Sequence, residues 1–493
     1  MIHFLTKSGI FKVLVLCGMI FSSCAQKSEP VSNTHPPNII LVMADDLGWG
    51  DVAYNGNPIA KTPHLDRMAT EGVRLDRFYA ASPVCSPTRA SCLTGRHPYR
   101  VNIPWAGDGF LHPDETTLAE ALRTKGYATG HFGKWHVGGM SKTMKQSYFP
   151  GPPTTYSPPW ENGFDVSFST ESMMPTFNPY YHVGGAYGEE DYRHIQSEPV
   201  ANGQRTNGAK WRDYYWTGEG QMVDEWLAGD DAELVMNEAL KFIKSQVREQ
   251  LPFLSVVWFH NVHTPVVAGE KHRTIYAGLP MEQQHWYGAI SAMDEQIGRL
   301  RTELKKMGAS DNTIVWFCSD NGPSYIHNYN SAGPFKGKKA ELYEGGICVP
   351  SIVEWPSRLA KPKVVNTPIV TSDFYPTLLS ICGVESKNEN HIDGENVWPI
   401  LNGQNTQRQK PIGFRSPLPN RLKKQEVQQE EQFAFVDNRY KLLSMDNGKT
   451  FQLYDITEDP AETNDLSLEF PEVKVQLLKA FDEWSASLPG LAK

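Results

Sequence analysis

The stretch Asn38-Ile-Ile-Leu-Val-Met-Ala44 runs directly into Asp45-Asp46. An apolar run of this kind, without a charge, is typical of a parallel strand that is buried on both faces. Two later stretches repeat the pattern and also end in polar residues: 253–259 before His260 and His263, and 313–318 before Ser319-Asp320-Asn321. The sequence therefore predicts buried strands whose carboxyl ends carry ligand-capable side chains.

Helical candidates lie between these strands and beside them. Apolar residues recur at helical spacing over residues 117–125, 231–246 and 282–307. Alternating strands and helices are typical of doubly wound α/β proteins, in which ligands bind outside the carboxyl ends of the strands. We therefore expect an α/β fold with a large mixed, mostly parallel sheet sandwiched by helices, and a functional site at the strand ends.

The composition is that of a globular protein of enzyme size. The 493 residues are 40% hydrophobic and 21% charged, and 47 Lys and Arg stand against 56 Asp and Glu, a net charge of −9. This balance argues against the broad basic surface of a nucleic-acid-binding protein. An anionic ligand would need positive charge concentrated at its own site.

Residues 1–23 are predicted to be a signal peptide. Lys7 and Lys12 flank and enter an apolar run over residues 10–21, which is too short to span a bilayer. Small residues precede Cys24, and this favours lipidation of Cys24 over simple secretion. We expect an exported protein, in the periplasm or at the cell surface, that is anchored through a lipid on Cys24. Its mature charge is −11, because residues 1–23 contain two lysines and no acidic residue.

The rest of the chain divides by composition. Residues 24–37 are interpreted as a linker, residues 38–368 as the catalytic domain, and residues 369–493 as a smaller C-terminal α+β subdomain. Residues 140–225 are rich in Tyr, Trp, Gly and Pro and are interpreted as long surface loops beside the site. The elements expected in the subdomain are short antiparallel strands over residues 433–443 and 451–455 and a closing helix over residues 468–488.

The segment Cys85-Ser-Pro-Thr-Arg89-Ala-Ser-Cys-Leu-Thr-Gly95-Arg96 predicts a short helix, with Pro at an early position and Gly as a stop. Cys85 would lie at its positive N-terminal end, which lowers the pKa of a nucleophile and offers backbone N–H groups to an anion. Arg89 follows one turn later on the same face. The alternative is a structural or disulfide-forming cysteine. Five cysteines follow Cys24, and an odd number leaves at least one free, modified or paired outside the chain.

Asp45, Asp46, Asp320 and Asn321 are oxygen donors, two from each of two strand ends. Oxygen ligands without imidazole or thiolate favour Ca²⁺ or Mg²⁺ over Zn²⁺. Each pair alone has another interpretation, a helix cap for the first and a turn for the second. Two adjacent carboxylates after a buried strand repel each other, however, and this repulsion favours a bound cation.

Cys-x-Pro-x-Arg followed by Ala-x-x-Leu-Thr-Gly-Arg resembles the signature of the type I sulfatases, in the alkaline phosphatase superfamily. The resemblance covers essentially the mature chain and includes, in the family's order, Pro37-Asn-Ile-Ile-Leu-Val-Met-Ala-Asp-Asp46, Gly133-Lys-Trp-His136, Asn261-Val-His-Thr-Pro265, Ser319-Asp-Asn-Gly-Pro323, Gly337-Lys-Lys-Ala-Glu-Leu-Tyr-Glu-Gly-Gly346 and Leu453-Tyr-Asp-Ile-Thr-Glu-Asp-Pro460. Two positions depart from the family pattern. Val262 stands where a proline is common, and Cys348 stands where an arginine is common, so that a charge is missing there.

The resemblance implies a modified residue, a metal ion and a set of roles. A formylglycine-generating maturation enzyme oxidises Cys85, and one Ca²⁺, with Mg²⁺ less favoured, is held by the four oxygen donors above. An oxygen of the formylglycine at position 85 or of the bound sulfate completes its shell. Lys134 contacts the sulfate group, and His136 takes a proton from the formylglycine hydrate. His263 and Lys339 bind a sulfate oxygen and help to protonate the departing sugar oxygen.

We therefore expect a sulfuric ester hydrolase that works through a formylglycine hydrate nucleophile and a covalent sulfo-enzyme intermediate. The expected substrate is a sulfated polysaccharide or oligosaccharide, either algal, such as ulvan or carrageenan, or a glycosaminoglycan. Trp160, His182 and Arg193 are candidate substrate-binding residues, because aromatic faces stack on sugar rings and an arginine reads a second charge. The alternatives are an aryl sulfatase, a phosphonate or phosphodiester hydrolase of the same superfamily, and a non-catalytic polysaccharide-binding lipoprotein.

Overall fold

The computed structural model describes residues 35–144, 153–179, 214–223, 227–324, 329–359, 362–385, 392–418 and 430–490. The strands are β1 (Asn38–Ala44), β2 (Val73–Leu75), β3 (Phe78–Tyr79), β4 (Ala128–Lys134), β5 (Val166–Thr170), β6 (Tyr215–Gly218), β7 (Gln221–Met222), β8 (Phe253–Trp258), β9 (Thr313–Ser319), β10 (Ile352–Glu354), β11 (Lys363–Val365), β12 (Ile369–Val370), β13 (Ile412–Pro417), β14 (Glu431–Val436), β15 (Tyr440–Ser444) and β16 (Gln452–Asp455). The α-helices are α1 (Pro63–Glu71), α2 (Cys85–Thr94), α3 (Leu118–Arg123), α4 (Asp231–Glu249), α5 (Glu270–Arg273), α6 (Met281–Lys306), α7 (Glu344–Ile347), α8 (Phe374–Cys382), α9 (Trp398–Leu401) and α10 (Pro471–Ser487). Among these helices of the described chain, none is both long and apolar enough to cross a bilayer.

The large sheet contains ten of the described strands, in the order β11-β2-β10-β9-β1-β8-β4-β5-β6-β7. Its central strands β9, β1, β8, β4 and β5 all run parallel. Antiparallel pairs follow on either side, where β10 meets β9 and β6 meets β5. The expected large mixed, mostly parallel sheet is therefore confirmed, and α3, α4 and α6 confirm the three helical candidates to within a few residues.

Strand β1 is buried on both faces, as its sequence predicts. Odd-numbered residues such as Leu41 belong to a hydrophobic cluster that includes residues of α2, α3 and α8. Even-numbered residues such as Val42 belong to a second cluster with residues of α4 and α6. Because helices cover both faces, β1 shows no alternation of apolar and polar residues.

Strands β13 to β16 form a separate antiparallel sheet, which confirms the sheet expected near the C-terminus. One face, with Phe414 and Leu443, packs on Leu342 and its neighbours, and the other, with Phe435 and Leu442, packs under α10. The strand expected over residues 433–443 is in fact the hairpin β14–β15. The turn forms because Oδ1 of Asp437 accepts hydrogen bonds from the backbone N–H groups of Arg439 and Tyr440.

Residues 140–225 contain more regular structure than expected from their composition. Strands β5, β6 and β7 lie in this range and extend the large sheet beyond β4. These strands have five residues or fewer, too few to show a clear alternation of apolar and polar side chains. Residues 145–152, 180–213 and 224–226 lie outside the described part of the chain, as do residues 1–34 with Cys24.

Gly133 lets strand β4 run close to β8. Its φ is +98°, and a β-carbon at this position would lie 1.9 Å from the carbonyl oxygen of Trp258.

We expect Gly133→Ala to lower the free energy of unfolding by about 3 kcal/mol, since the left-handed conformation costs about 1–2 kcal/mol and overpacking adds about 1–3 kcal/mol. Gly126→Ala is the matched control, because its φ is +79° but an added β-carbon would have nothing within 4 Å. Equal losses in chemical denaturation of the two variants would contradict a packing role for Gly133.

Candidate active site

Three parallel strands deliver charged side chains to one edge of the large sheet. Asp45 and Asp46 follow β1, Asp320 follows β9, and Lys134 ends β4. The register aligns the strand ends, with Ala44 of β1 opposite Ser319 of β9. The site predicted at the carboxyl ends of the strands therefore forms because neighbouring strands end at the same level.

Two ion pairs at the centre of this site are inaccessible to solvent. Nζ of Lys134 lies 2.7 Å from Oδ2 of Asp45, and Nη2 of Arg89 lies 2.6 Å from Oδ2 of Asp320. Arg89 Nη1 also donates to the carbonyl oxygen of Lys134 at 3.0 Å. All four side chains are 0% exposed. Arg89 thus links helix α2 to the ends of β4 and β9.

Asp46 brings a second group of residues to the same place. Its backbone is left-handed, with a φ of +61°. Oδ1 of Asp46 accepts hydrogen bonds from Nζ of Lys339 and from Nδ2 of Asn321, the latter at 2.8 Å. Nε2 of His263 lies 3.8 Å from Oδ2 of Asp46. The loop that carries Lys339 and the end of β8 therefore meet at Asp46.

Cys85 is the first residue of α2, as predicted, and it is 1% exposed. The turn before the helix is held by Thr88, whose Oγ1 donates to the carbonyl oxygens of Ser82 and Val84. Sγ of Cys85 and carboxylate oxygens of Asp45 and Asp320 lie within 4.8 Å of one another. These contacts place position 85 at the centre of the charged groups.

The pKa of the Cys85 thiol does not follow the prediction from its helix. Burial raises the pKa of this thiol above its usual value, and the positive charges of Lys134 and Lys339 only partly oppose that effect. The helix N-terminus was expected to lower the pKa, and that expectation is wrong for the unmodified thiol. The reason is desolvation, which the sequence does not reveal.

His136 lies just beyond the end of β4, fully buried. Its φ is +59°, so that the chain turns here instead of continuing the extended conformation that would put Lys134 and His136 on one face. Its backbone N–H donates to the carbonyl oxygen of Glu171 at 3.0 Å. Burial, and then the charges of Lys134 and Arg89, hold the pKa of His136 well below its usual value. The imidazole is therefore neutral at neutral pH.

His263 is also held in its neutral form. Burial, and then the charge of Lys134, lower the pKa of His263 to about 4. Its Nδ1 lies 2.7 Å from the carbonyl oxygen of Thr264, and this hydrogen bond requires the proton to be on Nδ1. Lys339 differs: burial lowers its pKa, but the negative charges of Asp46, Cys85, Asp45 and Asp320 together outweigh burial and raise the pKa of Lys339. Of these two side chains, Lys339 carries the transferable proton at neutral pH.

The oxygen donors fit a divalent cation. Oδ1 of Asp45 and Oδ1 of Asn321 are buried and have no hydrogen-bond partner among the described residues. Burial, and then the negative charge of Asp45, raise the pKa of Asp320 to about 7. Burial would raise the pKa of Asp45 as well, but the surrounding positive charge, chiefly that of Lys134, holds it low. The raised pKa of Asp320 means that the paired cationic side chains do not fully offset its burial and the repulsion from Asp45, and a bound cation would offset both. Oxygen ligands of this type suit Ca²⁺ or Mg²⁺.

One set of supporting residues has no signal in the sequence. Nε2 of His260 lies 2.7 Å from Oγ1 of Thr170, and Nδ1 of His260 lies 2.7 Å from Oδ2 of Asp231. The carbonyl oxygen of Thr170 accepts the N–H of Trp135 at 3.0 Å. This network holds the backbone next to His136. Thr170 lies in residues 140–225, which the sequence analysis interprets as loops, and Asp231 lies at the start of a predicted helix. No sequence motif contains both residues.

The three candidate substrate-binding residues are not brought together by the described structure. Trp160 is half-buried, packs against the large hydrophobic cluster and donates from Nε1 to the hydroxyl of Tyr156 at 2.8 Å. His182 and Arg193 lie outside the described residues. Their predicted contacts with substrate stay predictions.

A mostly parallel sheet whose strand ends gather carboxylates, cationic side chains and a helix N-terminus defines a hydrolase of the alkaline phosphatase-like class. Residues 37–384 match the family model described as Sulfatase. Residues 336–485 match the model described as N-sulphoglucosamine sulphohydrolase, C-terminal. The chain therefore belongs to the sulfatase family and is a sulfuric ester hydrolase.

Several animal sulfatases are similar to this chain in sequence. N-acetylgalactosamine-6-sulfatase of Canis lupus familiaris is 33% identical over 396 residues, which cover 76% of this chain and 67% of that protein. The Homo sapiens protein of the same name is 32% identical over 388 residues, which cover 74% and 66%. Steryl-sulfatase of Rattus norvegicus is 31% identical over 427 residues, which cover 77% and 72%. The chain thus spans about two thirds of the length of the first two relatives.

Solved structures share the fold over nearly the whole chain. Ps i-CgsB in complex with k-i-k-neocarrahexaose superposes with a TM-score of 0.75 and 25% identity, covering 93% of this chain and 94% of that one. A Bacteroides thetaiotaomicron protein from work on the metabolism of multiple glycosaminoglycans gives a TM-score of 0.70 and 25% identity, covering 92% and 100%. The phosphonate monoester hydrolase of Agrobacterium radiobacter superposes with a TM-score of 0.64 and 19% identity, covering 92% of this chain and 96% of that one. At this identity the similarity shows the fold alone.

Proposed function

We propose that this protein hydrolyses sulfate esters of a sulfated polysaccharide or oligosaccharide, with formylglycine derived from Cys85 and with one Ca²⁺. The observation that carries the proposal is the position of Sγ of Cys85, within 4.8 Å of carboxylate oxygens of Asp45 and Asp320 and on the helix that carries Arg89. This sulfur stands where an oxygen of formylglycine would stand. The raised pKa of the thiol argues against a cysteine nucleophile acting unmodified.

The charges of the site support an anionic substrate. Arg89, Lys134 and Lys339 are each paired with one of the carboxylates of Asp45, Asp46 and Asp320, so these six charges cancel. A divalent cation bound by the carboxylates would leave a positive excess. A sulfate group would then be attracted by the cation and by the three cationic side chains, which are aimed at the same point.

Formylglycine, when hydrated, supplies one hydroxyl that attacks sulfur and a second whose deprotonation breaks the bond to sulfate and restores the aldehyde. The chain's own residues supply the proton transfers. His136, neutral and buried, is suited to accept the proton of the second hydroxyl. Lys339, held protonated beside Asp46, is suited to donate to the departing sugar oxygen, and His263 would bind a sulfate oxygen only after protonation of Nε2.

Calcium is favoured over magnesium by the ligands. Asp45, Asp46, Asp320 and Asn321, with an oxygen at position 85, supply protein oxygens on several sides. Mg²⁺ usually keeps several water molecules and uses few protein ligands, whereas Ca²⁺ accepts six to eight oxygen ligands in irregular arrangements.

The carbohydrate assignment is supported by the printed names of the relatives, an N-acetylgalactosamine-6-sulfatase among them, and by the neocarrahexaose complex. We propose either an algal polysaccharide such as ulvan or carrageenan or a glycosaminoglycan as substrate.

We also propose that the protein is exported, matured by a formylglycine-generating enzyme and anchored through Cys24. Release of a Cys24→Ala variant from the membrane fraction, with the wild type retained, would support the anchor, and wild-type protein in the soluble fraction would contradict it.

The test is a panel of esters with defined leaving groups. It contains N-acetylgalactosamine 6-sulfate, oligosaccharides of carrageenan and ulvan, para-nitrophenyl sulfate and para-nitrophenyl phosphate. We expect turnover of at least one carbohydrate sulfate and a preference for sulfate over phosphate with the same phenol, because the chain belongs to the sulfatase family. Turnover of para-nitrophenyl sulfate alone would favour the aryl sulfatase, a preference for phosphorus esters the phosphonate or phosphodiester hydrolase, and binding without turnover the non-catalytic lipoprotein.

A further inference from the structure

Lys339 is carried by a loop, residues 336–346, that lies between the site and the C-terminal sheet. On the side of the site, the N–H of Lys339 donates to the carbonyl oxygen of Pro323 at 3.0 Å, and the N–H of Ala340 donates to that of Pro83 at 2.8 Å. Ala340 has a φ of +74°, a conformation that alanine adopts only where surrounding contacts impose it. The backbone beside Lys339 is therefore held by other parts of the molecule.

Gln432 of strand β14 supplies contacts from the opposite side. Its Oε1 accepts a hydrogen bond from the N–H of Leu342 at 2.8 Å, and its Nε2 donates to the carbonyl oxygen of Ala340, also at 2.8 Å. Nε2 donates further to the carbonyl oxygen of Pro417 at 3.1 Å. One side-chain amide thus connects two residues of the loop to two neighbouring strands of the C-terminal sheet.

The surroundings of Gln432 make these bonds specific. The side chain is 0% exposed, and the sheet face beside it packs Leu342 against Phe414 and Ala434. An amide buried among apolar groups is costly unless its hydrogen bonds are made. The loop can shift only by leaving Gln432, the N–H of Leu342 and the carbonyl of Ala340 without partners.

A buried ion pair holds the far end of the same loop. Nζ of Lys441, on strand β15, lies 2.8 Å from Oε1 of Glu344 and 3.0 Å from Oε1 of Glu462. The N–H of Glu344 donates to Oε2 of Glu462 at 2.6 Å. The loop is therefore attached to the C-terminal sheet at two points, and Gln432 is the one next to Lys339.

We propose that Gln432 is a positioning residue for Lys339. By holding Ala340 and Leu342, its amide keeps Nζ of Lys339 at Asp46 and in reach of the oxygen that leaves the substrate. The inference rests on the proposed function, in which Lys339 donates the proton to that oxygen. It assigns a part in the reaction to the C-terminal sheet, which contributes no residue to the site described above.

The experiment uses the full chain and compares two leaving groups. Para-nitrophenyl sulfate has a good leaving group that needs little protonation, whereas the carbohydrate sulfate that the wild type hydrolyses fastest has a poor one. We expect Gln432→Met, which keeps the length of the side chain and loses all three hydrogen bonds, to lower kcat on the carbohydrate by about ten- to a hundredfold, less than the roughly 10²- to 10⁴-fold expected when a general acid is lost completely. On para-nitrophenyl sulfate kcat should change by less than about threefold.

Gln432→Glu is the second variant, because it keeps the acceptor for the N–H of Leu342 and loses the donor to Ala340. It should show a loss of the same selectivity that is at least as large, because a buried carboxylate would face the carbonyl oxygens of Ala340 and Pro417. Hydrogen exchange of residues 336–346 should be faster in both variants. Arg408→Met is the matched control: Arg408 forms another buried link, to Asp373 at 2.5 Å, and its loss should affect both substrates equally.

The variant Lys339→Ala distinguishes a failure of the inference about Gln432 from a failure of the proposed role of Lys339. If Lys339→Ala is selective for the carbohydrate and Gln432→Met is not, Gln432 has a structural role alone and the positioning role is overturned. If Lys339→Ala lowers kcat equally on both substrates, the proposed role of Lys339 as proton donor is wrong, and the inference about Gln432 falls with it. If Lys339→Ala and Gln432→Met each lower kcat selectively on the carbohydrate sulfate, the result supports Lys339 as the proton donor and Gln432 as its positioning residue.

Discussion

Turnover of every sulfate ester should be lost when Cys85 is replaced by alanine. We expect kcat/KM to fall by roughly 10⁴- to 10⁶-fold, the range found when a covalent nucleophile is deleted from an enzyme. The physical reason is position: Cys85 begins α2, and its Sγ lies beside carboxylate oxygens of Asp45 and Asp320. The cationic side chains around it would still bind the sulfate group, so KM should change far less than kcat. Steady-state kinetics on the ester panel measure both.

Cys92→Ala is the control for this result. Cys92 lies in the same helix, is 0% exposed and belongs to the hydrophobic cluster under the large sheet, so its loss should cost stability and leave kcat unchanged. Cys85→Ser tests the chemistry further, because one hydroxyl attacks sulfur but cannot expel the sulfate afterwards. A Cys85→Ala variant with wild-type activity would overturn the proposed nucleophile. A fully active wild type whose Cys85 peptide still holds a thiol would overturn formylglycine.

Asp45→Asn should abolish both cation binding and turnover. The substitution keeps the size of the side chain and removes the charge that Lys134 contacts at 2.7 Å and that a cation would neutralise. We expect the affinity for Ca²⁺ to fall by about 100-fold or more, as for other changes at metal sites. Calcium titration and the rise in unfolding temperature with added Ca²⁺ measure the loss, since a ligand at 100 times its Kd stabilises a protein by about 2.7 kcal/mol. Chelation of the wild type should give the same loss of activity, reversed by Ca²⁺.

Asp294→Asn is the matched control. Asp294 is also a buried carboxylate, whose pKa burial raises to about 7, but it accepts hydrogen bonds from the N–H groups of His64 and Leu65 at the start of α1. Its amide variant should lose stability and keep the calcium response. If Asp45→Asn keeps a wild-type calcium response, the cation is not held at this site.

The sheet and the centre of the site were predictable because both depend on local patterns. Buried strands such as β1 show a continuous apolar run, and the residues that follow them must meet where parallel strands end together. This argument joins Asp45 to Asp320 across 275 residues of sequence without any contact information. Helix α2 is also predictable from the sequence, because a proline lies near its start and a glycine follows its last residue.

Other features depend on contacts that have no local signal. The turn at His136 needs a left-handed residue that nothing in Lys134-Trp-His136 indicates. The links of Thr170 with His260 and of Gln432 with Ala340 join segments 90 and 92 residues apart through single side chains. The pKa of Cys85 depends on how completely the helix is covered, and the sequence shows only the helix.

The burial of Cys85 also bears on whether this residue could be modified before or after the chain folds. A side chain that is 1% exposed, at the start of a fully buried helix, is out of reach of another enzyme's active site once the chain has folded. The maturation enzyme proposed above would therefore act on residues 85–96 before the chain has folded. Under the proposed maturation, folding would then enclose the finished aldehyde, and copies that folded first would keep an unmodified thiol.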